Sequence, residues 1–118
     1  MKILDDFCEK AQRQYKSKVS VFFLDGEKME LYRGEPEPAA LIRKYSEKEQ
    51  PRYITSDSKK HLSECGYSSR FSMCIPAGMG KIVFILSSKK KDAFDDTAKY
   101  MVNDILKIKK DIGLERSK

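Results

Sequence analysis

RFSMCIPAGMGKIVFIL, residues 70–86, reads as two strands and the turn between them. Over residues 70–75 the chain alternates, with Phe71, Met73 and Ile75 on one side and Ser72 and Cys74 on the other. Pro76-Ala77-Gly78-Met79-Gly80 is rich in turn formers. KIVFIL, residues 81–86, is apolar after its lysine, as a central strand covered on both faces should be. A strand of that kind demands a layer of structure on each side of its sheet.

Working outward, the segments on either side supply those layers. At the far end, Ala98, Met101, Val102, Ile105, Ile108 and Ile112 recur at helical spacing. Asp95 can cap that helix and Gly113 can stop it. Tyr100 and Leu106 lie off the stripe. At the near end, Ile3, Leu4, Phe7, Cys8, Ala11 and Tyr15 predict an amphipathic helix over residues 2–16. KVSVFFL, residues 18–24, is β-branched and aromatic and predicts a strand. Asp25-Gly26 is a hairpin signal, and residues 29–33 form the returning strand. Pro38 suits the first turn of a short helix reaching about residue 48, with Leu41, Ile42 and Tyr45 on one side. Arg52–Thr55 is a further short strand, and residues 59–65 read as two helical turns closed by Gly66. The expected fold is α+β: a mostly antiparallel sheet of about five strands. The N- and C-terminal helices lie on one face, with short helices and loops on the other.

With 118 residues, the chain has the length of one domain, expected to span 1–118. No apolar run approaches the ~20 residues of a membrane span. MKILDDFCEK, at the start, is too acidic and too short of apolar residues for a signal peptide. Three cysteines without paired spacing do not suggest a disulfide scaffold. The expected compartment is therefore the cytoplasm, with reduced thiols. The net charge is +6, and the excess lies wholly after residue 52. Its densest runs are Lys89-Lys90-Lys91 and Lys107, Lys109, Lys110. Asp92, Asp95, Asp96, Asp104 and Asp111 are interleaved with them. That pattern fits a solvated lysine-rich surface, and it keeps a nucleic-acid or anionic-surface binder open as an alternative.

Several strings, taken together with the element order, resemble a small GAF domain. Residues 66–76, GYSSRFSMCIP, match the family's glycine, serine and apolar strand ending in proline. The strand of residues 80–86, then Phe94-Asp95-Asp96 opening the last helix, and the VSVFFLDGEKMELYRG hairpin fit as well. Profilin-like and roadblock-like domains share a similar element order. The chain is shorter than most GAF domains between residues 34 and 66, where the family builds its ligand lid. The resemblance implies a small ligand held between sheet and lid. It also implies a homodimer formed through the first and last helices, with Phe7, Ala11, Tyr100 and Leu106 at the interface. Regulation and signal transduction are the roles it implies.

A lid-side pocket would draw on Phe22, Tyr32, Tyr53, Cys74 and Ile85. The tyrosine and phenylalanine rings can stack on a planar ligand, and the hydroxyls can orient it. The same five can equally fill a core, because a one-residue slip of register exchanges the two faces. Free methionine-(R)-sulfoxide reductases are GAF-fold thiol enzymes, and Cys65 is similar in position to their catalytic cysteine. That makes a thiol enzyme the catalytic alternative, with His61 one helical turn from Cys65. The resolving-cysteine segment of that family has no counterpart here. A single histidine and unpaired cysteines provide no metal-site spacing. Gly78-Met79-Gly80-Lys81 lacks the rest of a phosphate-binding loop. The expectation is a non-catalytic regulatory domain that uses no cofactor or metal and binds a small ligand, a protein partner, or both.

Overall fold

The computed structural model describes residues 2–55, 67–90 and 92–116. Five strands form one antiparallel sheet in the order β2-β1-β5-β4-β3. They are β1 (Lys18–Asp25), β2 (Lys28–Arg33), β3 (Arg52–Thr55), β4 (Ser69–Ala77) and β5 (Gly80–Ser88). Helix α1 (Lys2–Gln14) opens the chain, α2 (Ala39–Tyr45) lies between β2 and β3, and α3 (Ala98–Arg116) closes it.

The decisive hairpin is tighter than the sequence predicts. Ala77 pairs with Gly80, so the loop is only Gly78-Met79, and both strands run up to it. Pro76 sits inside β4, paired with Lys81. It is tolerated because β3 leaves β4 at Ser72, so Pro76 has no second ladder in which an N–H is missing. Gly80 is demanded by packing: a Cβ there would run into the Leu24 carbonyl of β1.

Both terminal helices cover one face of the sheet. Leu4, Phe7, Cys8, Ala11 and Tyr15 of the α1 segment meet Val19, Val21, Phe71, Met73, Ile75, Ile82, Phe84 and Leu86 of the strands. Met101, Ile105, Ile108 and Ile112 of α3 complete this core. The Phe7 and Phe84 rings pack edge to face at 5.2 Å. Lys10 of α1 pairs with Asp104 of α3 at 2.9 Å, and the Tyr15 hydroxyl donates to the same carboxylate.

Three predicted boundaries move. Helix α3 starts at Ala98 rather than Asp95, because Phe94 is drawn wholly into the core against Phe71 and Tyr53. Burying a phenylalanine stabilises by about 2–3 kcal/mol, more than one extra helical turn gains. The same helix runs through Gly113, where an interior glycine costs only about 1 kcal/mol. Helix α2 ends at Tyr45 rather than near residue 48. The next carbonyl, that of Ser46, accepts from Lys81 Nζ at 2.7 Å and from Cys74 Sγ, which turns the chain down onto the sheet. Pro38 stands just before α2 as its cap, and its carbonyl receives the Leu41 and Ile42 amides.

Candidate functional site

The face of the sheet away from α1 and α3 carries two different surfaces. One half is apolar. Phe22, Leu24, Cys74, Val83 and Ile85 pack under Ile42 and Tyr45 of α2. The other half is polar although it is buried. Ser20, Arg70, Ser72 and Ser87 fall on this face by strand alternation, in adjoining positions of β1, β4 and β5.

Arg70 is the centre of the polar half and is only 1% exposed. Its Nη2 donates to Glu37 Oε1 at 2.9 Å, and its Nε donates to Ser87 Oγ at 3.0 Å. The guanidinium lies 5.9 Å from the centre of the Tyr67 ring. Glu37 is held there by the segment that follows β2. Gly34 turns at φ 102°, in a space where a Cβ would strike the Val19 carbonyl. Ser20 Oγ then both accepts from the Glu35 amide and donates to the Glu35 carbonyl. On the rim, Glu35 accepts from Lys18 at 2.7 Å and from the Tyr67 hydroxyl at 3.1 Å. Those two donors hold its carboxyl below the usual carboxylate range, Lys18 having the larger effect.

Two hydroxyls in this region, Tyr45 Oη and Ser72 Oγ, are buried without a hydrogen bond of good geometry. Burial raises the Tyr45 phenol pKa, and Arg70 opposes that rise, first by its charge and then by a hydrogen-bonding approach of the guanidinium to the hydroxyl. A buried hydroxyl without a partner costs about 1–3 kcal/mol, so two together call for an explanation.

Of the five residues expected to line a pocket, Phe22, Cys74 and Ile85 lie on this face, packed in the apolar half. Tyr32 and Tyr53 lie on the opposite one. Val21 faces Arg33 but Phe22 faces Leu31, so Tyr32 is the extra residue of a bulge in β2. The bulge turns both Tyr32 and Arg33 toward α1, where each donates to Asp5 Oδ1, at 3.1 and 3.4 Å. Tyr53 pairs with Phe71 and so shares its face, with its ring edge-on to Phe94 at 6.0 Å.

The expected interface divides in the same way. Phe7 and Ala11 are 5% and 0% exposed, since α1 spends its apolar stripe on the chain's own core. Tyr100 and Leu106 are 53% and 44% exposed on α3. Arg70, Glu37, Tyr45, Ser72 and Ser87 are the residues that sequence reasoning missed. The available signal was Arg70 and Ser72 alternating with apolar residues beside an apolar central strand.

Neither described thiol is an activated nucleophile. Burial pushes Cys8 up to about 11 and also raises Cys74, whose Sγ donates to the Ser46 and Lys48 carbonyls. Cys65 and His61 lie outside the described residues. Among the described residues, no group of three His, Cys, Asp or Glu side chains could hold a metal ion. No helix there is long and apolar enough to cross a membrane.

Comparison with solved structures finds the same architecture elsewhere. The GAF domain of a two-component sensor histidine kinase from Bacillus halodurans superposes with a TM-score of 0.52, over 76% of each chain. The fold is GAF-like. Sequence identity to that domain is 13%, so the likeness is one of fold. No family model and no curated protein matches the chain. In the GAF-like frame, the Arg70 half lies on the face opposite the paired terminal helices.

Proposed function

We propose that the chain is a non-catalytic regulatory domain whose ligand is a small polar molecule bound at the Arg70 half of the α2 face. The observation that carries this reading is the pair of buried hydroxyls of Tyr45 and Ser72, neither in a hydrogen bond of good geometry, beside a buried guanidinium. A ligand with hydrogen-bonding groups would complete them. The regulatory part of the reading draws on the GAF-like fold and on the sensor kinase to which the similar domain belongs. It includes a single domain over residues 1–118 in a cytoplasmic setting. Its output is homodimerisation through α3, with Tyr100 and Leu106 as the contact.

Strand alternation provides a short route for coupling. Ser72 and Arg70 on the ligand face flank Phe71, which packs against Phe94 just ahead of α3. A ligand that prefers one setting of β4 would thereby bias the packing of α3.

A thermal-shift screen of nucleotides, amino acids and small dicarboxylates tests the site. At least one compound should raise the melting temperature. The double variant Tyr45→Phe/Ser72→Ala should fold as well as the parent and lose the rise. A screen without hits, or a hit that this variant retains, removes the proposed site. Sedimentation of Tyr100→Glu/Leu106→Glu tests the dimer, and an unchanged mass would discard that contact.

A further inference from the structure

A groove of about 770 Å³ opens at the end of the two inner strands where β1 begins and β5 ends. Its walls are the end of α1, the turn into β1, and the segment leaving β5. Lys16, Lys18, Lys89 and Lys90 line it, and among the described residues no aspartate or glutamate does. Two of these lysines have acidic partners outside the lining: Lys18 with Glu35 at 2.7 Å and Lys90 with Asp92 at 3.9 Å. Lys16 and Lys89 make no ion pair among the described residues. The remaining lining is rich in neutral hydrogen-bonding groups, including Gln12, Ser17, Ser88 and Thr97.

The backbone adds a second observation. Lys16 stands at φ 48°, the only non-glycine residue with positive φ among those described. It follows the end of α1, where glycine or asparagine is the usual occupant. A lysine in that left-handed conformation carries strain of about 1 kcal/mol that glycine would avoid. The residue in that turn is itself one of the lysines that line the groove. The adjacent end of α1 would repel an anion, but the Ala11 carbonyl accepts from the Tyr15 and Ser17 amides and the Ser17 hydroxyl, which quiets it.

We propose that this groove binds a small phosphate-bearing anion. The groove adjoins the Arg70 half of the α2 face, with Tyr67 and Ser87 touching both, but Lys16 and Lys89 belong to the groove alone, so its test stands whether or not that reading does. Its volume matches a small-molecule site, which runs to roughly 300–1,000 Å³. A nucleic-acid track would need the positive surface to continue beyond it. Instead, Asp104 and Asp111 on α3 and Asp92 after β5 interrupt the other lysines.

The test is equilibrium binding of sodium tripolyphosphate and of ATP, at physiological salt, to the full chain. Both probes should bind saturably. Lys16→Gly/Lys89→Gln should weaken both by about tenfold or more, given what charge-assisted contacts contribute. Lys109→Gln/Lys110→Gln removes the same charge elsewhere and should change binding less than about twofold. Lys16→Gly alone should keep or raise the melting temperature, so lost binding cannot be put down to unfolding. Equal affinity for the probes assigns the site to the phosphate chain, and tighter ATP binding adds the nucleoside; either result supports the site. No saturable binding, or equal loss in the two double variants, overturns it. So does a long single-stranded oligonucleotide that binds more tightly than both probes and loses affinity equally in both variants.

Discussion

The two faces of the sheet are built from the same strands and yet are finished differently. The face under α1 and α3 is closed by aromatic and branched side chains, and the Tyr15, Tyr32 and Arg33 polar groups that reach it end on carboxylates. The face under α2 is closed by the same kind of packing over one half only. Over the other half it keeps a buried arginine, three serines and the Tyr45 phenol, and two of these hydroxyls, those of Ser72 and Tyr45, lack a hydrogen bond of good geometry. One face is finished for stability, and the other holds polar groups that the fold alone does not satisfy. Unsatisfied groups inside a packed protein mark the places where something besides folding set the residue.

That contrast can be broken most forcefully on the closed face. Phe84→Ala should cost about 3–5 kcal/mol in urea unfolding, because the ring is fully buried and edge-on to Phe7. A loss under 1 kcal/mol would mean this face is not the main core. On the other face, Arg70→Met should cost about 3 kcal/mol, by stranding the Glu37 carboxylate in a largely buried position. Arg70→Met/Glu37→Leu should recover most of that loss. If the double variant is no better than the single one, the pair is not what Arg70 contributes.

The closed face also predicts a direction with pH. Cys8 is raised from 9.0 to about 11 by burial, and Tyr15 from 10.0 to about 12 by burial and by Asp104. A group with a folded pKa above its unfolded value favours the fold while it is protonated. Its contribution is complete below the unfolded pKa and is lost as pH rises through the folded one. Stability should therefore hold to about pH 9 and fall through pH 11 and 12, Cys8 accounting for roughly 2 kcal/mol of the early part. Replacing Cys8 with alanine should flatten the decline between pH 9 and 11. A decline unaltered by that substitution would take Cys8 out of the account.

How much of this could be read beforehand follows from the range of the interactions involved. Hairpins and helices were legible because alternation, three-to-four spacing and turn residues act within a few positions. Facing was legible where alternation ran unbroken, as in β4. It failed at Tyr32, because a bulge in β2 reverses the parity and leaves no mark in a single sequence. It failed at Tyr53, because four residues of β3 take their facing from pairing with β4. The start of α3 was misplaced because Phe94 answers to Phe71 and Tyr53, both distant in sequence. Arg70 was missed as a site residue because its carboxylate partner lies 33 residues away, in an irregular segment. Such a pairing is fixed by the fold and has no local period.

The finest comparison between the faces is one atom, removed twice. Tyr15→Phe deletes a hydroxyl that donates to Asp104 at 3.0 Å, and should cost about 1 kcal/mol. Tyr45→Phe deletes a buried hydroxyl that has only the Arg70 guanidinium near it and no hydrogen bond of good geometry, and should cost well under that or stabilise slightly. Both rings stay in their apolar contacts, so packing largely cancels and the hydroxyl's surroundings remain. Urea unfolding of the two variants beside the parent reads the difference directly. Equal losses would mean that the Tyr45 hydroxyl is satisfied in solution, and the α2 face would then be as finished as the other. A loss confined to Tyr15→Phe leaves an open hydrogen-bonding position under α2, on the face where a ligand would have to supply the missing partner.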